Sequence, residues 1–232
     1  MNMAKTKEPI VIVGIGETAE MAADYFAMDS PFEVRAFTAE KPFLDKHPEI
    51  HEIDGKPVLS LDALQRMFPP INYRAFVAMA YGRLNHDRAR MYQEMKACGY
   101  NLVSYISSRA FVGTNVEIGE NCFIMENNVL QRNVKIGNDV VLWSGNHIGH
   151  RTVIEDHVFL SSHVAVSGFC RIGAYSFLGI NSCIGDHVMI AKNCFIGGGV
   201  TIMHDTKENE IYRVEGWKPE RLSADMVFGF RG

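Results

Sequence analysis

A small α/β module followed by a parallel β-solenoid is the fold class this sequence predicts, and two observations predict it. From Val112 to Ile202 every sixth residue is aliphatic without a break, through Ile118, Ile124, Leu130 and onward. Ahead of that run, apolar strand-like stretches alternate with helical ones and begin at a glycine-rich turn. A period of six suits neither a 3.6-residue helix nor a two-residue strand alternation. It suits a short strand plus a turn, repeated and stacked.

The period also sets the geometry. If three hexads close one coil, residues 18 apart lie above one another at the parallel-strand spacing of about 4.8 Å, and the run makes about five coils. The residue four places after each aliphatic is usually small or β-branched, as at Cys122, Val140, Thr152 and Ser176, and fits the corners of the core. Gly often follows the aliphatic directly, as at 113, 119, 137 and 149. Inward aliphatics then form one continuous apolar column.

The earlier elements can be placed in order. Pro9–Val13 reads as a buried strand, Gly14 to Ala19 as a tight turn and Glu20–Met28 as a helix. A strand at Phe32–Phe37, a helix at Leu61–Met67, a strand at Tyr73–Ala80 and a helix from Asn85 to Cys98 follow. Alternating β and α elements imply a parallel sheet. The division expected is 1–107 for the α/β module, 108–203 for the solenoid and 204–232 for a polar tail containing Trp and Pro.

Composition narrows the functional classes. The chain has 232 residues, 47% hydrophobic, with a formal charge of −4, enough apolar material for a real core and no basic footprint for nucleic acid or an anionic membrane. No apolar run approaches the ~18 residues of a spanning helix, and the N-terminus lacks a signal-peptide pattern. A cytoplasmic protein is expected. The five cysteines are scattered without CxxC spacing, and Cys122, Cys170 and Cys194 occupy small inward positions. Core packing accounts for those three.

Gly14-x-Gly16-x-x-Ala19 lies between a strand and a helix, where backbone N–H groups and a helix N-terminus can face a phosphate. A glycine turn serving only strand–helix packing is the alternative. The strand ending at Phe37-Thr38-Ala39 shows no clear ribose-binding carboxylate. A mononucleotide or nucleotide-sugar site is the functional reading.

Taken with Ile53-Asp54-Gly55-Lys56-Pro57-Val58-Leu59, Val77-Ala78-Met79-Ala80 and Phe177-Leu178-Gly179-Ile180-Asn181-Ser182, the chain to about residue 203 resembles the NeuD/PglD-type sugar acyltransferases. The resemblance implies a Rossmann-like N-terminal module, a hexapeptide-repeat left-handed parallel β-helix and a homotrimer through that helix. It implies acetyl-CoA or another acyl-CoA as co-substrate, held between subunits, and a nucleotide-linked amino sugar as acceptor. No metal is implied. By register, His150 falls on the family's general base, Gly168, Ile180 and Gly199 on acyl-donor contacts, and Gly16, Glu17 and Thr18, beside Gly14, on the nucleotide-sugar site. An unperturbed imidazole, titrating near 6.5, suits proton acceptance at neutral pH.

The chain departs from the family pattern at two places. Arg151 stands where an acid follows the base, leaving Glu155 and Asp156 as candidate orienting carboxylates. Phe159 holds the position of a second, donor-contacting histidine, with His163 nearby as a substitute. The acceptor group can be an amine or a hydroxyl. A γ-class carbonic anhydrase would want a histidine at 155, where Glu155 stands, and a non-catalytic scaffold would leave the first module without a purpose.

One column of outward residues is notably apolar: Phe123, Val141, Phe159, Phe177 and Phe195. Such a stripe needs cover. It reads as the trimer interface, the alternative being the N-terminal module or the tail folded back over it.

Overall fold

The computed structural model describes residues 7–214 together with Gly216 and Met226. Strands β1 (Glu8–Val13), β2 (Phe32–Ala39), β3 (Glu52–Ile53), β4 (Lys56–Ser60) and β5 (Arg74–Val77) form one sheet in the order β3-β4-β2-β1-β5. All its pairings are parallel except β3 with β4. Helices α1 (Glu17–Met28), α2 (Lys41–Leu44), α3 (Leu61–Met67) and α4 (His86–Ala97) connect them. Helix α1 buries Ala19, Ala22, Ala23 and Phe26, a spacing that keeps one face on the sheet.

This module differs from the sequence expectation in several places: β2 runs on to Ala39, β5 spans only Arg74–Val77, and α2 was not expected. Helix α1 begins at Glu17 rather than Glu20, its N-cap being Gly16. The segment 52–60 is a hairpin turned at Asp54-Gly55, both residues having positive φ, and its second strand extends the parallel sheet beside β2. Asp-Gly is a favoured pair for so tight a turn.

The solenoid matches the hexad geometry strand for strand. Its two-residue strands stack into three parallel sheets, a first face through Phe111, Val129 and His147, a second through Glu117, Lys135 and Val153, and a third through Tyr105, Phe123 and Val141. Each aliphatic from Leu130 to Ile202 is buried in one apolar column. Cys122, Cys170 and Cys194 lie in that column as free thiols, and burial pushes the Cys122 thiol up to about 12. The third face continues through Ile211–Tyr212, inside the segment expected as a tail. The Trp- and Pro-containing remainder of that segment falls outside the described residues.

The phenylalanine column is not a free surface, which corrects its reading as a trimer interface. Phe123, Val141, Phe159 and Phe177 are buried beneath the α/β module in one cluster with Phe26, Phe37 and Phe76. Tyr25 and Phe76 pack edge-on against Phe123, and Tyr81 lies against Phe159 and Phe177. Alternation along a strand shows only that a face is apolar. Here the chain enters the solenoid on the third face, so its own first module is the nearest apolar surface.

A buried polar network holds the two units in register. Arg88 of α4 and Asp139 of the solenoid are both fully buried, joined Nε to Oδ1 at 3.1 Å. The same guanidinium donates to the main-chain oxygens of Asp139 and His157 and to Asn85 Oδ1. Asn85 in turn donates to the carbonyls of Tyr175 and Ser176, while Asn121 Nδ2 donates to Asp139 and its Oδ1 accepts the Val77 N–H. His157 Nδ1 donates to the second Asp139 oxygen at 2.8 Å. At the other end of the interface, Asp29 accepts from Ser108 N–H, Tyr105 and Ser107. The Ser108 amide leads these donors in holding the Asp29 carboxyl below its ordinary range. This contact is therefore at full strength above the usual carboxylate range and weakens as pH falls through it.

Replacing Arg88 with Met strands the Asp139 carboxylate in the interface. The expected loss is about 3–5 kcal/mol, read as a lowered denaturation midpoint in urea. A midpoint within error of wild type would contradict the structural weight given to this pair.

Candidate active site

The expected site residues gather in three separate places. The first is a cleft of about 390 Å³ at the C-terminal ends of β1, β2 and β5. Strands β2 and β5 flank β1, so the chain leaves β1 in one direction and later returns on the other side. Open α/β sheets bind ligands at such switch points. Gly14, Gly16, Glu17 and Thr18 line the cleft together with Thr38, Glu40 and Ala78 to Ala80.

The glycines there have distinct roles. Gly14 has φ +126°, donates to the Thr38 carbonyl, and a Cβ on it would stand 2.4 Å from the Ala78 oxygen. Gly16 is extended and faces open space, so a Cβ would meet nothing within 4 Å. Helix α1 starts directly behind it, and its first amides lack intrahelical acceptors. A phosphate is the ligand such a helix end favours.

Glu40, the residue after β2, also lines the cleft. Reading the strand as ending at Ala39 overlooked it. Its carboxylate is gripped at both oxygens by Arg90 of α4, at 3.0 and 2.8 Å. An acid directly after the second strand was the available sequence signal.

The second place is the corner between the first and second faces, which presents His150. Its side chain is exposed and lies edge-on to Phe169 at 5.0 Å. Gly168, one coil above, leaves room for the ring: a Cβ there would sit 2.7 Å from the His150 ring. The His150 N–H and its Nδ1 both meet Gln131 Oε1, at 2.9 and 3.1 Å. Phe169 stacks on His187 with ring centroids 4.7 Å apart.

The two candidate carboxylates are elsewhere. Glu155 pairs with Arg171 and accepts the Ala174 N–H, and Asp156 accepts the Asn138 N–H. Both belong to the next corner along the coil. Gln131 was missed because a glutamine carries no charge to mark it. It does interrupt the glycines that precede this corner at 113, 149 and 185.

The third place is the corner between the third and first faces. Ile180 is half exposed and Gly199, at φ +69°, opens to solvent with its N–H on the Ile180 carbonyl. His163 is exposed there over Gly145. Phe159 is not with them: it is buried under Tyr81. The width of the first face separates Gly168 from Ile180 and Gly199 within one chain.

The turn residues between His150 and His187 share a further property. Arg151, His157, His163, Phe169, Tyr175 and His187 all hold left-handed φ near +60°, with Asn181 the one asparagine among them, whereas the equivalent positions in the earlier coils are mostly Asn. Left-handed backbone disfavours bulky side chains by about 1–2 kcal/mol per residue, and strain of this kind gathers at functional sites. Among the described residues, no three His, Cys, Asp or Glu side chains converge as a metal site, and no helix is long and apolar enough to cross a membrane.

Residues 169–204 match the family model for the bacterial transferase hexapeptide, six repeats. These coils are bacterial transferase hexapeptide repeats. The whole architecture also recurs in solved structures. The acetyltransferase domain of PglB from Neisseria gonorrhoeae FA1090 superposes with a TM-score of 0.75 at 19% identity, covering 88% of this chain and 96% of that one. PerB from Caulobacter crescentus, solved with CoA and GDP-perosamine, gives 0.75 at 22% identity over 88% and 92%. WeeI from Acinetobacter baumannii AYE gives 0.53 at 19% identity over 83% and 95%. The shared fold is an α/β module followed by a left-handed parallel β-helix, so the hexapeptide coils are left-handed.

The two glycines of the cleft separate folding from binding. Gly14→Ala is expected to lower stability by about 1–3 kcal/mol, whereas Gly16→Ala leaves the melting temperature nearly unchanged and, if a phosphate group sits at the α1 N-terminus, weakens its binding. Thermal melts and calorimetric titration with nucleoside diphosphates check both; a destabilised Gly16→Ala variant would contradict the assignment.

Proposed function

We propose that this chain is an acyl-CoA-dependent N-acyltransferase acting on a nucleotide-linked amino sugar, with His150 as general base and acetyl as the acyl group. The observation that carries the reading is the position of His150: exposed, packed against Gly168 and held at Nδ1, at a corner of a solenoid whose α/β module keeps a phosphate-suited cleft. The same fold in PerB has been solved with CoA and GDP-perosamine, and the Caulobacter enzyme also in forms with one histidine replaced by Asn or Ala.

The reaction follows from these parts. The cleft holds the nucleotide, with the α1 N-terminus toward its phosphates, and leaves the sugar amine pointing outward. The amine nitrogen attacks the thioester carbonyl, forming the C–N bond. His150 takes the proton that the nitrogen sheds, the C–S bond breaks, and the proton passes to the departing CoA thiolate. General-base assistance of this kind is worth about 10²- to 10⁴-fold.

A second copy of the chain is needed to assemble this site. The α/β module covers the third face, and His150 stands at the corner between the other two, across the solenoid from its own module. The expected donor contacts are likewise split between two corners. Packing copies through the first face, whose outward residues Phe111, Val129, His147, Ala165, Cys183 and Thr201 include no Asp, Glu, Lys or Arg, brings different corners of neighbouring chains together. A closed homotrimer repeats that contact three times. The second face, with Glu117, Lys135 and Arg171, is charged.

His150→Gln is expected to lower kcat by about 10²- to 10⁴-fold with KM for acetyl-CoA little changed. Gly168→Ala is expected to melt normally yet lose about tenfold or more in kcat, because its Cβ displaces only the imidazole. Thiol release from acetyl-CoA with a panel of nucleotide-linked amino sugars measures both. Near-normal turnover in the His150 variant would place the base elsewhere.

Ala165→Glu buries three like charges if the first face is the interface. Light scattering should then report monomer in place of trimer, with turnover lost. A wild-type monomer that is fully active would overturn the assembly.

A further inference from the structure

We infer that Gln131 is the positioning residue of His150, doing through a neutral amide what a carboxylate would otherwise do: it fixes the proton on Nδ1 and leaves Nε2 as the basic nitrogen. The inference rests on His150 being the base, and its first test does not depend on turnover.

Which way the Gln131 amide points is settled by an adjacent group that has no choice. The His150 main-chain N–H can only donate, and it meets one Gln131 side-chain atom at 2.9 Å. That atom is therefore the oxygen, Oε1. The same oxygen lies 3.1 Å from His150 Nδ1. An oxygen cannot donate, so Nδ1 carries the hydrogen and the neutral ring keeps its lone pair on Nε2. The assignment needs no observed hydrogen atom.

Gln131 is itself held in place. Its main-chain N–H donates to the Ile148 carbonyl in the coil ladder, and its carbonyl accepts from Val134 N–H across the turn. Its side chain has one coil to cross, and the residue directly above its Cα is Gly149, which presents no side chain in the way. Of the residues aligned at this step of the corner, Gly113, Gln131, Gly149, Ser167, Gly185 and Met203, only Gln131 carries a hydrogen-bonding group on a side chain long enough to reach the next turn. It sits one coil below the base.

An amide differs from a carboxylate in a way that can be measured. Both accept the Nδ1 hydrogen, but a carboxylate also attracts the positive charge that forms when Nε2 is protonated. Gln131 thus orients the ring without placing a negative charge beside it. Gln131→Glu keeps the acceptor and adds the charge; Gln131→Leu removes the acceptor while keeping most of the bulk.

Nitrogen-15 NMR of the wild-type protein, labelled at histidine and assigned with His150→Gln, should show His150 as the Nδ1–H tautomer at neutral pH. In Gln131→Leu the signal should shift toward the Nε2–H form, with kcat down by about ten- to a hundredfold and KM for acetyl-CoA within about twofold. Gln131→Glu should recover turnover at alkaline pH and move the acid limb of the kcat profile to higher pH. A wild-type Nε2–H tautomer overturns the proposal. Equal losses in both variants with no movement of the pH profile also overturn it. If His150→Gln retains turnover while the Nδ1–H tautomer is observed, it is the general-base reading that fails.

Discussion

The contact between Arg88 and Asp139 is the constraint on which the arrangement of this molecule rests. Apolar burial alone would attract the α/β module to the third face without fixing how it sits, because the hydrophobic effect has no direction. A fully buried guanidinium is different. It must find acceptors for its N–H groups or remain a desolvated charge, and it finds them at Asp139, His157 and Asn85. One docking geometry supplies them all. That geometry in turn directs the glycine cleft away from the chain's own His150.

The solenoid was almost fully legible in the sequence because its signal is redundant: each aliphatic column is stated again every 18 residues, and the sheets pair in that register. The α/β module was legible in its order and less so at its edges. Strand β4 was hidden because Lys56-Pro57 opens it with a polar residue and a proline, both unusual at the start of a buried strand. Phe123 to Phe195 announced an interface correctly and its partner wrongly, since residue type records the need for cover and says nothing of what provides it.

The candidate site was legible to a different degree. His150 and the cleft glycines could be placed by register and by resemblance to a family. Gln131 and Arg90 could not, because each acts through a contact with a residue distant in sequence, while Glu40 had a signal in its place directly after the second strand. Asp139 and Arg88 are 51 positions apart, and neither looks exceptional in a chain that is 22% charged. Pairing of this kind emerges only when the coils are stacked and the helix is laid against them.

The 18-residue stacking also governs how such a chain can change length. Adding or removing a whole coil shifts everything downstream along the axis and keeps each face facing the same way. Removing a single hexad would preserve the inward aliphatics, and hence the core, but would turn all later faces by a third of a turn. Phe159 and Phe177 would then leave the α/β module while Phe123 stayed beneath it. Length variation among chains of this architecture is therefore quantised, with whole coils as the tolerated unit, even though the folding code itself repeats every six.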